Sequence, residues 1–237
     1  MTKQFSSVWT RPPRRPKTSG LGREQIVAAA IELLDAEGLQ ALSMRKLGAK
    51  LGAGATSLYW YVANKDELLE LALDEMWGKV ELPDPDTVPW REVASALAYN
   101  LRNTMRSHPW MVELIGRMPS LGPSMFRLNE RLRRTFLAAD FHGVDVYLAS
   151  GTVVSFVLGQ VVPEIAYAES GHLERFDVEA LQQAVRQQAA DYPEMSADFQ
   201  QMAPMDQEAG RAMAFDFGLL CVLEGLEARL RAAQERA

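Results

Sequence analysis

The chain contains few of the residues from which disulfide bonds and metal sites are built. Its 237 residues include one cysteine, Cys221, and three histidines. A single cysteine excludes an internal disulfide framework and fits a reducing cytosol. Its place in the apolar run LLCVLEGL predicts a small core residue rather than a redox sensor. No cluster of cysteines, histidines and carboxylates has metal-ligand spacing, so the sequence predicts neither a metal site nor a cofactor.

The motifs of several enzyme classes are missing as well. The sequence has no glycine-rich phosphate loop, no nucleophile elbow and no constellation of acid, base and nucleophile. It also lacks the charged and then apolar order of a signal peptide at its amino terminus. Its composition is ordinary, with 48% hydrophobic and 24% charged residues. These features predict a cytoplasmic globular protein that is not an enzyme.

One stretch of the chain is long and uncharged. Residues 146–162 form a run of 17 residues without a charge, and this run includes Ser150, Thr152, Ser155 and Gln160. It is shorter than the roughly 20 apolar residues of a membrane span. We therefore expect no membrane association, but a helix that its own domain and a second subunit bury on all sides.

The charge of the chain is unevenly distributed along its length. The formal net charge is −6, yet residues 1–65 carry ten basic and four acidic side chains. The remaining residues carry 15 basic and 27 acidic side chains. A basic end on an acidic body is typical of a protein whose basic end faces nucleic acid.

Residues 43–65 contain two short helical patterns around a glycine-bearing turn. Ser43 is suited to cap the first helix, in which Leu47 and Leu51 lie four residues apart on one face. Gly52 and Gly54 bracket the turn, where a positive φ is cheap only for glycine. The spacing is that of a helix-turn-helix.

The second pattern, predicted over 55–62, carries three consecutive aromatic residues. Leu58 and Val62 are four apart and should form its buried face. Tyr59, Trp60 and Tyr61 cannot all point into one core, so some of them must face outward. Exposed aromatics beside basic residues imply a partner, and for a helix-turn-helix that partner is double-stranded DNA. The alternative is that one or two of the three pack between helices.

The segments SMRKLGAKLG and TSLYWYVANKDELL resemble the DNA-binding signature of the TetR family of bacterial repressors. LYW followed by an aromatic residue, valine and NK is similar to the tetracycline-repressor branch, and the resemblance covers about residues 21–80. Thr56 and Ser57, at the start of the reading helix, can bond bases or phosphates. The resemblance implies DNA contact by six residues: Arg45, Thr56, Tyr59, Trp60, Tyr61 and Lys65.

The rest of the chain is predicted to be helical, which gives an all-α fold. Residues 1–20 are polar, rich in proline and basic at 11–17, so we expect a flexible arm that either follows DNA or remains a solvated tail. Residues 21–80 form the DNA-binding domain. The three prolines within 81–90 mark the start of a helical effector-binding and dimerisation domain over 81–237. Helices are expected at 22–36, 64–80, 90–107, 109–117, 123–139, 144–170, 177–191 and 207–236, with a loop over 192–205.

The resemblance also implies a carboxy-terminal body that forms a homodimer and holds a small-molecule pocket. Helices 144–170 and 207–236 are the dimer candidates. Methionine and aromatic residues adapt to varied ligands, although ordinary core packing is the alternative for each of them. The expected pocket lining consists of Trp110, Leu114, Met118, Met125, Phe126, Phe156, Gln160 and Glu164.

The residues that bind metal in tetracycline-binding family members do not recur clearly in this chain. Those members hold a drug-bound magnesium through histidines and a glutamate, whereas here Pro163 falls at the expected carboxylate, with Glu164 beside it. His108 is interpreted as a helix-end residue. We therefore expect an apolar or cationic effector that needs no metal, oriented by Gln160 and attracted by Glu164.

The sequence thus predicts a ligand-responsive repressor that binds a palindromic operator as a homodimer. Two alternatives remain open. The regulator could lack a small-molecule effector and be controlled by a protein partner, or it could act as an activator.

Overall fold

A computed structural model describes residues 7–10, 21–169, 178–202 and 206–235, and the regular structure in these ranges is helical without a strand. The all-α class predicted from the sequence is therefore confirmed. A short 3-10 turn, Val8–Thr10, comes first. The described α-helices are α1 (Arg23–Ala41), α2 (Met44–Lys50), α3 (Ala55–Leu58), α4 (Lys65–Gly78), α5 (Trp90–Ser107), α6 (Met111–Leu114), α7 (Pro123–Ala138), α8 (Asp145–Glu169), α9 (Val178–Ala189), α10 (Pro193–Met202) and α11 (Gln207–Gln234).

The chain divides into two compact units, Met1–Val157 and Leu158–Ala237, so that the division falls within α8. The proline-bearing segment 81–90 lies inside the first unit. Helix α1 has the predicted apolar face, with Ile26, Leu33 and Leu34 buried. It extends past the predicted end at residue 36, but Gly38 has a φ of 76° and interrupts the helical backbone there.

Helix α4 is the centre of the first unit, because it packs against α1, α6, α7 and the Val8–Thr10 turn. Three of its carboxylates are buried, and a buried charge must be paired or hydrogen-bonded. Glu67 accepts a bond from the Ala63 backbone N–H at 2.7 Å, and Glu70 accepts one from the Ser7 hydroxyl at 2.5 Å. The third carboxylate, Asp74, binds α7.

Asp74 caps α7 from a different helix. Its carboxylate accepts hydrogen bonds from the backbone N–H groups of Ser124 and Met125, both at 3.1 Å. The first amides of a helix have no intrahelical partner and favour a negative charge. Gly122 makes this approach possible, since a Cβ at that position would lie 2.2 Å from the Asp74 carboxyl carbon. Helix α4 is thereby tied to the start of α7.

Asp35 ties α1 to the ends of α4 and α5. Its Oδ1 accepts a hydrogen bond from Trp110 Nε1 at 2.7 Å and lies 2.7 Å from His108 Nδ1. The other ring nitrogen of His108 lies 3.1 Å from Lys79 Nζ. A lysine ammonium can only donate, so Nε2 accepts and Nδ1 carries the proton that faces Asp35. His108 is the residue that ends α5, as predicted.

Helix α8 is longer than the uncharged run within it. Its 25 residues include the one span, Asp145–Ala168, that is long and apolar enough to cross a membrane among the residues described. The expectation that the apolar segment is too short for this was therefore wrong, because the helix continues beyond residue 162. One face of the helix is nevertheless buried within the protein, at a helical spacing of three and four residues. This face consists of Val146, Ala149, Val153, Val157, Val161 and Ile165.

Two predictions for the second unit were wrong. Residues 192–205 were expected to form a loop, but Pro193–Met202 is a helix. Pro193 is its first residue, where the missing N–H costs nothing, so this proline starts a helix instead of breaking one. Cys221 is exposed and not part of the core. The buried face of α11 passes through Leu219 and Leu223, and Cys221 lies about half a turn away from it.

Candidate DNA-binding site

Helix α2 and the turn after it follow the sequence prediction closely. Ser43 caps α2 by accepting a hydrogen bond from the Lys46 backbone N–H at 3.2 Å, and Leu47 is fully buried. Gly52 has the expected positive φ, 61°, whereas Gly54 has a φ of −66°. The prediction for Gly54 was wrong, because that residue is the N-cap of α3 and needs only extended backbone.

Gly48 is a structural requirement that the sequence analysis missed. A Cβ at this position would lie 2.7 Å from the Ala53 carbonyl oxygen and 3.1 Å from the Ala55 nitrogen. The Ala53 N–H also donates to the Gly48 carbonyl at 2.9 Å. The backbone that enters α3 therefore rests directly on α2. Glycine sets this spacing, and the position of Gly48 within a helix gave no local signal for it.

The reading helix is a single turn followed by an irregular segment. α3 ends at Leu58, earlier than the predicted residue 62. Leu58 and Val62 are both fully buried, as predicted, and they anchor the segment at its two ends. Tyr59 is 46% exposed and Trp60 is 62% exposed, whereas Tyr61 is half-buried. The aromatics divide as the sequence required, with two directed outward.

The polar residues predicted to contact DNA are exposed on the helix-turn-helix elements. Arg45, Thr56 and Ser57 are exposed on α2 and α3, which pack against each other. Arg45 makes no hydrogen bond or ion pair with the described residues, so its guanidinium is available to guanine or phosphate. Together with Tyr59 and Trp60, these residues offer hydroxyl, guanidinium and aromatic groups to a partner.

Several cations of the basic end are used within the protein. Lys46 forms an ion pair with Glu37, and Lys50 pairs with Glu32 at 2.9 Å, so both join α2 to α1. Burial lowers the pKa of Arg23, at the start of α1, below its usual value. The sequence count of positive charge therefore overstates what DNA can meet on this surface.

Lys65 has an intramolecular partner as well. Its ammonium donates a hydrogen bond to the Leu39 carbonyl at 3.0 Å, which leaves two of its three protons for a phosphate. Asn64 caps α4 by accepting a bond from the Glu67 N–H at 2.9 Å, as predicted. In a standard capping box, Glu67 would accept a hydrogen bond from the N–H of the N-cap residue, Asn64. Here it accepts one from the N–H of Ala63, one residue earlier.

The predicted arm is described only in part, because its basic cluster at 11–17 lies outside the described residues. Residues 7–10 form one turn against α4. The Ser7 hydroxyl and the Val8 N–H both bind Glu70, at 2.5 Å and 3.3 Å. The described part of the expected flexible arm is therefore held against α4, through a residue 62 and 63 positions away in sequence.

The residues predicted to line an effector pocket are distributed over several places. Trp110 and Leu114 are buried, and the Trp110 indole is bonded to Asp35. Phe126 is 62% exposed beside a groove between α4 and α7. Met118, Met125 and Phe156 are half-buried. Gln160 and Glu164 line a cavity of about 520 Å³ in the second unit.

The cavity with Gln160 and Glu164 lies between α8 and the start of α11. Tyr167 and Arg211 also line it, and the Arg211 guanidinium lies 5.6 Å from the centre of the Tyr167 ring. Such a cation–π contact holds the guanidinium against the aromatic face. Within the described ranges, no three His, Cys, Asp or Glu side chains are grouped as metal ligands.

The combination of an all-helical body with an exposed aromatic reading helix defines a helix-turn-helix transcriptional regulator. Comparison with known proteins agrees with this class. The family described as "Bacterial regulatory proteins, tetR family" matches residues 26–72, and "Tetracyclin repressor-like, C-terminal domain" matches residues 82–230. The chain belongs to the TetR family of DNA-binding transcriptional regulators.

Individual relatives cover most of the chain. An HTH-type transcriptional regulator of Saccharopolyspora erythraea is 38% identical over 194 residues, which are 81% of each chain. The HTH-type transcriptional repressor DrrR1 of Streptomyces coeruleorubidus is 34% identical over 92% of this chain and 81% of its own. The Streptomyces coelicolor TetR family protein ActR, solved in complex with actinorhodin, is 28% identical, with a TM-score of 0.71 over 90% of this chain and 99% of its own.

Proposed function

We propose that this protein is a cytoplasmic, ligand-responsive repressor that binds a palindromic operator as a homodimer. The observation that carries the proposal is the exposed pair Tyr59 and Trp60, held outward by the buried Leu58 and Val62. Two large aromatic side chains exposed at a helix-turn-helix serve no purpose in a monomeric enzyme or in a domain that does not bind DNA. In the major groove, such side chains can pack on sugars and thymine methyl groups.

Dimerisation is supported by apolar side chains that a single chain leaves in water. On α11, Phe217 is 70% exposed, and Met213 and Leu220 are exposed beside it. On α8, Tyr147 and Leu148 are exposed opposite the buried stripe. The three α11 residues recur at intervals of three and four and so share one face of that helix, and an exposed apolar face of this kind marks an interaction site. A two-fold dimer places two reading helices about one DNA turn apart, which requires a palindromic operator.

The cavity lined by Gln160, Glu164, Tyr167 and Arg211 supports control by a small molecule. Its volume of about 520 Å³ lies in the range of ligand pockets. Gln160 can orient a ligand by hydrogen bonds, Glu164 can attract a positive charge, and Tyr167 offers an aromatic face. We therefore propose an apolar or cationic drug-like effector. It releases DNA by binding more tightly to a dimer whose reading helices no longer match the operator.

DNA recognition is tested by retaining fragments of genomic DNA on the protein and titrating the recovered operator in a mobility-shift assay. We expect Tyr59→Ala and Trp60→Ala to abolish specific binding while leaving the helical circular dichroism spectrum unchanged. Tyr192→Ala, which changes a tyrosine of the second unit that is 60% exposed, is the matched control and should bind as the wild type does. Unchanged operator affinity in Trp60→Ala would show that the reading surface is misassigned.

The effector chemistry is tested by release of the operator in the presence of apolar and cationic drug-like compounds. We expect release to continue in EDTA, since no metal is needed, and Glu164→Gln to weaken release by cations more than release by neutral compounds. Strict dependence on magnesium would contradict the pocket chemistry. Failure of every compound, together with release by a protein partner, would contradict small-molecule control.

A further inference from the structure

A groove in the first unit lies apart from every residue assigned to DNA or to the cavity near Gln160. It runs between the end of α4, with residues 80–82 that follow, and the first half of α7, and its volume is about 830 Å³. Its apolar lining is formed by Trp77, Val80, Leu82, Phe126 and Leu128. We propose that this groove binds a small amphipathic acid, an aromatic body that carries a carboxylate or sulfonate.

The first observation behind this proposal is an unsatisfied donor. Trp77 lines the groove and is 4% exposed, and its Nε1 is buried without a hydrogen-bond acceptor among the described residues. Buried tryptophan N–H groups normally have a partner. Trp110, in the same unit, satisfies this rule through Asp35. An indole N–H can only donate, so the group that Trp77 lacks is an acceptor.

The second observation is the arrangement of charge on the α7 wall. Arg127 and Arg131 lie one helical turn apart and both line the groove. The Arg127 guanidinium donates to Ser124 Oγ at 2.9 Å, whereas that of Arg131 has no partner among the described residues. Two guanidinium groups at this spacing suit a carboxylate or sulfonate, with which arginine forms bidentate bonds.

The acidic residues beside the groove do not cancel this charge. Glu130 is held by Arg133 through two bonds, at 2.6 Å and 2.7 Å, and the hydrogen bond from Arg133 lowers the pKa of Glu130 below its usual value. Glu81 is exposed on the opposite wall and can stay solvated. Within the groove, the Trp77 N–H is a donor and Arg131 a cation, each without a partner in the described part of the chain, and an anionic ligand satisfies both.

A ligand in this groove would contact α4, the helix that follows the helix-turn-helix. Trp77 lies on α4 one turn after Asp74, whose carboxylate holds the start of α7. A ligand that separates the end of α4 from α7 acts on this connection, and α4 begins directly after the reading helix. This consequence rests on the proposed function, whereas the binding site itself does not.

Binding is tested with two fluorescent probes that share an aromatic body. 8-Anilinonaphthalene-1-sulfonate carries the anion, and N-phenyl-1-naphthylamine is its neutral analogue. We expect Phe126→Ala to weaken both probes, because both use the apolar wall. Arg131→Gln should weaken the sulfonate about tenfold and leave the neutral probe unchanged, because only the charge-assisted bonds are lost. Arg134→Gln, which alters an arginine on the same helix outside the groove, is the control and should change neither probe.

Equal loss of sulfonate binding in Arg131→Gln and Arg134→Gln would reduce the effect to general charge and overturn the proposal. Unchanged binding of both probes in Phe126→Ala would overturn it as well. Trp77→Phe removes the N–H together with part of the aromatic lining, so it should weaken both probes and the sulfonate more strongly. None of these measurements uses DNA, so a protein that failed to bind any operator would contradict the proposed function and leave the probe titrations interpretable.

Discussion

At the scale of single residues, the turn between α2 and α3 depends on the absence of a side chain at Gly48. Alanine there would place its Cβ 2.7 Å from the Ala53 carbonyl, and backbone cannot yield as a flexible side chain does. We expect Gly48→Ala to lower the free energy of unfolding by about 1–3 kcal/mol, the usual cost of overpacking, and to weaken operator binding. Denaturant unfolding and mobility-shift titration measure the two effects.

Gly54→Ala is the matched control for this change. Gly54 has a φ of −66° and no atom within 4 Å of an added Cβ, so alanine fits without strain. Its free energy of unfolding should change by less than about 1 kcal/mol, because the loss of freedom in the unfolded chain opposes the poorer N-cap that alanine makes. If both alanines were equally destabilising, the close contact of Gly48 would not be the cause.

Lys65 has one observed contact and one predicted contact, which one experiment can separate. Its ammonium bonds the Leu39 carbonyl, and we predict that it also binds a DNA phosphate. Lys65→Ala should weaken binding to all DNA sequences and reduce the slope of log affinity against log salt by about 1. Lys50→Ala, which changes a lysine paired with Glu32 on the same domain, should leave the slope unchanged. A purely structural Lys65 would alter affinity without altering the slope.

At the scale of elements, the connection between α4 and α7 is the joint most sensitive to a single change. Asp74→Ala leaves the Ser124 and Met125 amides without their acceptor, which should cost about 1–2 kcal/mol, as for other lost helix caps. Glu75→Ala removes the neighbouring carboxylate, which is exposed, and should cost less than about 0.5 kcal/mol. Thermal unfolding compares the two. Equal stability of the variants would mean that Asp74 does not cap α7.

Local sequence patterns were sufficient for most helices but not for the contacts between them. Ser43 and Asn64 were identified as caps because their partners lie three residues away. The Asp74 cap joins residues 50 positions apart, and no periodicity reveals it. The segment 192–205 was predicted as a loop although Pro193 begins a helix, because proline both starts and stops helices and only the tertiary structure decides which.

The two candidate sites differed in how much the sequence could reveal. The reading surface is built from neighbouring residues on short helices, so the burial of Leu58 forces Tyr59 and Trp60 outward. A pocket is assembled from distant elements, and apolar residues that line it resemble ordinary core. Trp110 was expected in a pocket as an aromatic residue, with core packing as the alternative, and it is buried and bonded to Asp35. Trp77, which does line a groove, carried no distinguishing local signal.

At the scale of the whole molecule, the uneven distribution of charge along the chain affects how DNA approaches the protein. The net charge is −6, whereas residues 1–65, which contain the reading helix, carry ten basic and four acidic side chains. Repulsion from the acidic body then favours approach of DNA to that end alone. Part of this positive charge is neutralised within the protein, because Lys46 and Lys50 form ion pairs that join α2 to α1. The aromatics supply contacts that do not depend on charge.

Assembly is the property on which the proposed mechanism depends most, because one reading helix alone recognises too few bases. Phe217 on α11 is 70% exposed and lies among other exposed apolar residues. We expect the wild type to be a dimer at micromolar concentration by light scattering. Phe217→Asp should shift it to a monomer, because a partner would bury the new carboxylate without a counter-charge. Tyr192→Asp, at a similarly exposed aromatic between α9 and α10, should remain dimeric.

The monomeric variant should keep its helical content but lose operator affinity, since each half-site is then bound separately. A wild type that is monomeric at this concentration would remove the basis for a palindromic operator.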